Sequence, residues 1–171
     1  MMNIIYTSPV VEFVTVGAEF CAFLEQSEGR ERSSFVETLQ KLLPLLYVKA
    51  LLLPSVEGSE AFGAESHVTE QDYEWLRATL SRVMGDADTY EDLIYDEDMQ
   101  TDDTRWQSVS ENLADIYQPM WDFVETYRRG VEENIEEALW SLNDSFELFW
   151  GGNLVDVLRR LHRIRYTINN S

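Results

Sequence analysis

The chain has 171 residues, with 32 acidic against 13 basic side chains and a formal net charge of -19. Nucleic acid and anionic membranes would be repelled by such a surface, so neither is expected as a partner; a basic protein or a cation is favoured, although a charge of this size also serves solubility alone. The hydrophobic fraction of 44% and aromatic fraction of 12% exclude a disordered chain and predict one domain, residues 1–171, with its own core. Cys21 is the only cysteine, so no intramolecular disulfide is possible. With no basic stretch before the apolar residues of the N-terminal segment, and with the most apolar run, 42–54, too short for a bilayer and interrupted by Pro44 and Lys49, a cytoplasmic protein is expected.

Helical spacing recurs along the whole chain and predicts an all-α, single-domain bundle of about six helices with an acidic connector. The first helix is expected over 8–27, with Ser8 as cap and Pro9 at its first position. Val10, Phe13, Gly17, Phe20, Cys21 and Leu24 share its inner face, while the β-branched run from Val10 to Val16 also suits a strand. The second helix, 33–53, is apolar nearly all round; Pro44 predicts a kink or a break in it. Both helices are therefore expected to be central. Residues 55–68 read as a loop, and Thr69 with Asp72 forms a capping box opening a third helix, 69–84, stopped by Gly85.

Residues 86–105 read as the acidic connector, with a helical turn at Tyr90–Tyr95. A fourth helix is predicted over 103–129, capped by Asp102 or Asp103, with Trp106, Leu113, Ile116, Met120 and Val124 in its core stripe and a bend at Pro119. A fifth, 131–150, turns Leu142, Phe146 and Phe149 inward. Gly151 and Gly152 are expected to break the chain, and Asn153 to cap a sixth helix, 153–168, whose stripe ends at Ile168. So short a link predicts antiparallel neighbours, with Arg159 or Arg163 paired to a carboxylate of the fourth or fifth helix.

Four features bear on chemistry. The connector resembles a calcium loop only superficially: counted from Asp86 or Asp96, positions five and six hold Tyr90 and Glu91, or Gln100 and Thr101, which are the wrong residues. Glu132, Glu133 and Glu136 make an E-E-x-x-E run like that with which all-α nucleotide pyrophosphohydrolases hold magnesium, but the required second E-x-x-D pair is missing, since Asp156 has no Glu at 153. Trp140 falls on a polar face between Glu133, Glu136, Glu137, Asp144 and Glu147; another part of the chain, a partner or a cationic group must cover it. Arg165 falls within an apolar stripe, where it either snorkels or pairs with a buried carboxylate. Cys21, on a buried face, is expected to be unreactive, and no Cys/His set suits zinc.

The run FWGGNLVDVLRRLHRIRY (149–166), with LLPLLYVKALLLP (42–54) and the acidic block YEDLIYDEDMQTDDTRW (90–106), resembles a bacterial family known as domain of unknown function 5063. The resemblance implies one helical domain in a bacterial cytoplasm and no activity. Asp156, Arg159 and His162 lie in its most specific segment, spaced by three, and are expected to cluster beside Trp150. Two functions remain open: a non-catalytic interaction or regulatory module with an unidentified, basic protein partner and no cofactor, or a magnesium-dependent hydrolase of nucleoside phosphates using Glu132, Glu133 and Glu136. Carboxylates from two helices converging in a concave pocket would mark the second.

Overall fold

A computed structural model describes residues 2–58 and 65–168. After a short 3-10 turn, Ile4–Tyr6, the elements run α1 (Ser8–Glu25), α2 (Arg32–Leu51), α3 (Glu70–Met84), β1 (Thr89–Asp96), β2 (Thr101–Ser108), α4 (Val109–Arg129), α5 (Glu132–Ser145) and α6 (Gly151–Arg163). The fold is mostly helical around a single hydrophobic core. Phe13, Phe20, Cys21, Leu39 and Leu46 are fully buried in it, as their shared helix faces require.

The most enclosed helix is α4, which packs against α1, α3, α5 and α6. This corrects the expectation that the first two helices occupy the centre. Although α2 is apolar nearly all round, it leaves Leu45, Val48, Leu51 and Leu52 on the surface. Pro44 breaks nothing: α2 runs on through it, as α4 does through Pro119. The capping box at Thr69 and Asp72 forms as read, and Gly85 and Gly130 close their helices with φ of +59° and +79°. The first helix starts at Ser8, with Thr7 at the N-cap position and its hydroxyl bonded back to the Ile4 carbonyl, and α2 opens at Arg32, which donates to the Met84 carbonyl and pairs with Asp86. The inner part of the loop read over 55–68 and the side chain of Ile168 lie outside the described residues.

Two further corrections matter for function. The acidic connector is an antiparallel hairpin, with Thr89 opposite Ser108 and Asp96 opposite Thr101. No helical turn forms at Tyr90–Tyr95, and α4 starts at Val109, capped by the Ser108 hydroxyl, rather than at residue 103. Thr89, Tyr90, Ile94, Tyr95, Thr101, Thr104 and Trp106 all favour extended backbone, and Gln100 turns the chain with φ of +52°.

The second correction is that Gly151 and Gly152 do not break the chain. From Glu132 to Ile168 the backbone stays helical, passing through π-helical turns at Phe146–Trp150 and Ile164–Ile168. Residues 132–168 thus form one continuous helical run. Asn153 caps nothing, and α5 and α6 follow one another instead of lying side by side.

At the first π turn the Gly151 N–H bonds the Phe146 carbonyl five residues back. Phe146 stacks edge-on against Trp150, whose indole N–H donates to the Leu142 carbonyl at 3.2 Å. This widened turn seats Trp150 in the core against Phe13.

Candidate functional site

The hairpin has two dissimilar faces, because directly paired residues of an antiparallel ladder point the same way. The inner face carries Tyr90 with Gln107 and Asp92 with Arg105. It rests on α4 and α6 through the buried Tyr90 ring and through polar contacts. Tyr90 donates to Asn112 Oδ1 at 2.6 Å, Asn112 Nδ2 donates to Gln107 Oε1 at 3.0 Å, and Gln107 Nε2 donates to Asp92 at 2.8 Å. Arg105 pairs with Asp156 at 3.7 Å and Arg159 with Asp92 at 3.9 Å. Burial, then the nearby Asp92 charge, raises the Asp156 carboxyl above its ordinary range. At the base, buried Asp88 accepts from both the backbone N–H and the hydroxyl of Ser110, at 2.8 and 2.7 Å.

The outer face carries Glu91 opposite Trp106, Leu93 opposite Thr104 and Tyr95 opposite Asp102. Trp106, Leu93 and Tyr95 are 69%, 60% and 57% exposed. Trp106, read as part of a helical core stripe, therefore stands in solvent on a strand. Glu91 and Asp102 share this apolar face, and Glu97 and Asp98 follow at the hairpin tip.

The residues singled out from sequence do not meet in one place. Asp156 and Arg159 join the hairpin network, whereas His162 stands apart, its ring 4.7 Å from that of Tyr166. Arg159 pairs with the hairpin and not with α4 or α5. Trp140 is half-buried under the chain itself: a Cβ at Gly58 would run into the indole, and Asn143 of the same helix holds the Pro54 carbonyl at 3.0 Å.

The carboxylate run on α5 is engaged by the N-terminal turn. Glu136 accepts from Asn3 at 2.9 Å and Glu132 from Tyr6 at 3.0 Å, while Glu133 is exposed and Glu137 half-buried. Among the described residues no three Asp, Glu, His or Cys side chains are grouped as a metal site requires. Arg165 is half-exposed, bonded to Gln40 at 2.8 Å and near Glu37, so no buried carboxylate balances it.

Sequence reading missed a cavity of about 270 Å³ between α4 and α5. Pro119, Phe123, Ala138, Leu142 and Trp150 line its apolar part, and Asp115 and Asp122 supply carboxylates. Phe149, expected in the core, lines it while remaining 69% exposed. Asp115 accepts from Tyr73 at 2.6 Å and Asp122 from the His67 backbone N–H at 2.6 Å. Burial raises the Asp122 carboxyl above its usual range, against the opposing pull of the His67 backbone bond. The signals available were Pro119 within a helical pattern and the aromatic pair before Gly151.

No described helix is long and apolar enough to cross a membrane. The chain matches none of the curated proteins. Among solved structures it is similar to the crystal structure of protein BF1032 from Bacteroides fragilis, at 40% sequence identity and a TM-score of 0.84, over 96% of this chain and 97% of that one. The family model described as domain of unknown function (DUF5063) matches residues 4–167, and the chain belongs to that family.

Proposed function

We propose that the protein is a non-catalytic interaction module whose hairpin docks a basic segment of a partner protein. The observation that carries this reading is the outer hairpin face: Trp106, Leu93 and Tyr95 lie uncovered in a setting of carboxylates. Large apolar side chains cost free energy in water, and an aromatic anchor rimmed by charge is the usual anatomy of a binding hot spot. The net charge of -19 opposes a second copy of the chain as occupant and selects lysine- and arginine-bearing surfaces. The polar network on the inner face holds the hairpin against the helices, so the outer face is presented without first having to fold.

The test is quantitative co-purification from the native cell, comparing the wild-type chain with Trp106→Ala and Leu93→Ala. A basic protein should be retained by the wild type and lost from both variants, with binding that weakens as salt rises. Truncation of a central tryptophan anchor costs about 2 kcal/mol or more, roughly thirtyfold in affinity. Identical co-purifying proteins for all three chains, or an acidic partner, would remove the hairpin from the function.

A further inference from the structure

We propose that the cavity between α4 and α5 is a separate binding site for a small primary amine with an aromatic-sized apolar body, its ammonium at Asp122 and its body against Pro119 and Phe149. Three observations lead there. First, the cavity lies between a helix that carries a proline and one that ends in a π turn. Pro119 has no N–H for the Asp115 carbonyl, and the opposite wall ends in the π turn at Phe146–Trp150. Such turns recur at functional sites, and Phe149 and Trp150 of this one line the cavity.

Second, the lining is chemically one-sided. Its carboxylates are Asp115 and Asp122, its neutral polar groups are Gln118, Ser141 and Ser145, and no basic side chain is among the described lining residues. An anion would meet only like charge, while an ammonium would find a carboxylate and hydroxyl acceptors. Asp115 and Asp122 stand seven residues apart on one helix, about 10 Å along its axis, too far to close on a single bare cation. The positive charge must therefore come on a molecule that also fills the apolar space.

Third, that space is built for a body. Half-exposed Pro119 and exposed Phe149 offer it apolar surface, backed by the buried Phe123, Leu142 and Trp150. A cavity of about 270 Å³ suits one ring and a short chain.

The experiment is calorimetric titration of the full chain at fixed ionic strength with three probes. Phenethylammonium has charge and body, methylammonium charge alone, and 2-phenylethanol body alone. Phenethylammonium should bind one to one, at least about tenfold more tightly than either control, since each lacks one of two contacts worth over 1 kcal/mol. Ser141→Leu fills the cavity without altering net charge and should reduce binding by at least about tenfold. Phe149→Ala, at an exposed rim position, should weaken binding severalfold and keeps the test readable if Ser141→Leu disturbs folding. Equal affinity for methylammonium would reduce the effect to surface charge, and equal affinity for 2-phenylethanol would leave Asp122 without a role. Either result overturns the proposal, as do binding untouched by both variants and no binding of phenethylammonium at millimolar concentration.

Discussion

Gly151 and Gly152 are adjacent, both helical, and should respond to alanine with opposite signs. A Cβ at Gly151 would lie 2.5 Å from the Phe146 carbonyl oxygen and 3.0 Å from two atoms of its ring. That oxygen belongs to the backbone and already accepts the Gly151 N–H, so it has little room to retreat. Overpacking of this kind costs about 1–3 kcal/mol, and disturbing the π-turn hydrogen bond adds about 1 kcal/mol. Against this stands the ordinary gain of about 0.5–1 kcal/mol for replacing a helical glycine. Gly151→Ala should thus lose about 1–3 kcal/mol net. At Gly152 nothing lies within 4 Å of the added carbon, so only the gain remains, about 0.5–1 kcal/mol. Urea unfolding of both variants beside the wild type measures the gap, expected near 2–4 kcal/mol, or at least about 4 °C in melting temperature. Equal stabilisation by both would show that the turn relaxes to ordinary α geometry at no cost, and the argument for Gly151 as its keystone would fail.

Arg160 donates to the Ala87 carbonyl at 2.9 Å and lies over the buried Tyr90 ring, whereas half-exposed Arg165 bonds Gln40 and lies over the exposed Tyr166 ring. Arg160→Met should therefore cost more than Arg165→Met, by about 1 kcal/mol, in parallel thermal melts; the reverse order would refute this account of both residues. Asp122 has a carboxyl raised by burial, so its contribution is present below the unfolded value and lost as pH rises through the folded one. Asp122→Asn keeps an acceptor for the His67 N–H, and its stability relative to wild type should increase as pH climbs from below ~4 to 7. A flat difference, or one that turns toward the wild type, would contradict this. Cys21 is fully buried, and burial holds its thiol well above the ordinary range, so a thiol reagent should label it only at the rate of unfolding. Rapid labelling of the native chain would show access that the packing denies.

Helical periodicity carried most of the architecture because the stripes of α1, α2 and α4 bury as spaced, with Phe13, Leu39 and Leu113 all in the core. The hairpin escaped that reading for a physical reason. Its inner face meets Asp156, Arg159 and Asn112, so it needs no apolar alternation, and Asp92 and Arg105 occupy positions that a sheet on a hydrophobic core would fill with valine. The continuous helical run escaped because paired glycines ordinarily end helices, and the wider turn that makes Gly151 necessary depends on where Phe146 and Trp150 pack. The cavity borders the same turn and Pro119, and nothing in the helical spacing of α4 sets Asp115 and Asp122 apart from its other polar residues. Trp140 was recognised as misplaced, and the strand of chain at Pro54–Gly58 that covers it carries no periodic signal.

The hairpin is fastened to the helices by ionic and hydrogen-bonded contacts and by one core ring, Tyr90, while the helices are fastened to one another mainly by the buried apolar core. These two kinds of attachment answer to different solution conditions. Mobile ions shorten the reach of the first within about 8 Å at physiological ionic strength and leave the second nearly untouched. Raised salt should therefore speed amide exchange in residues 89–108 more than in the helices, with Tyr90 as the hold that salt does not loosen.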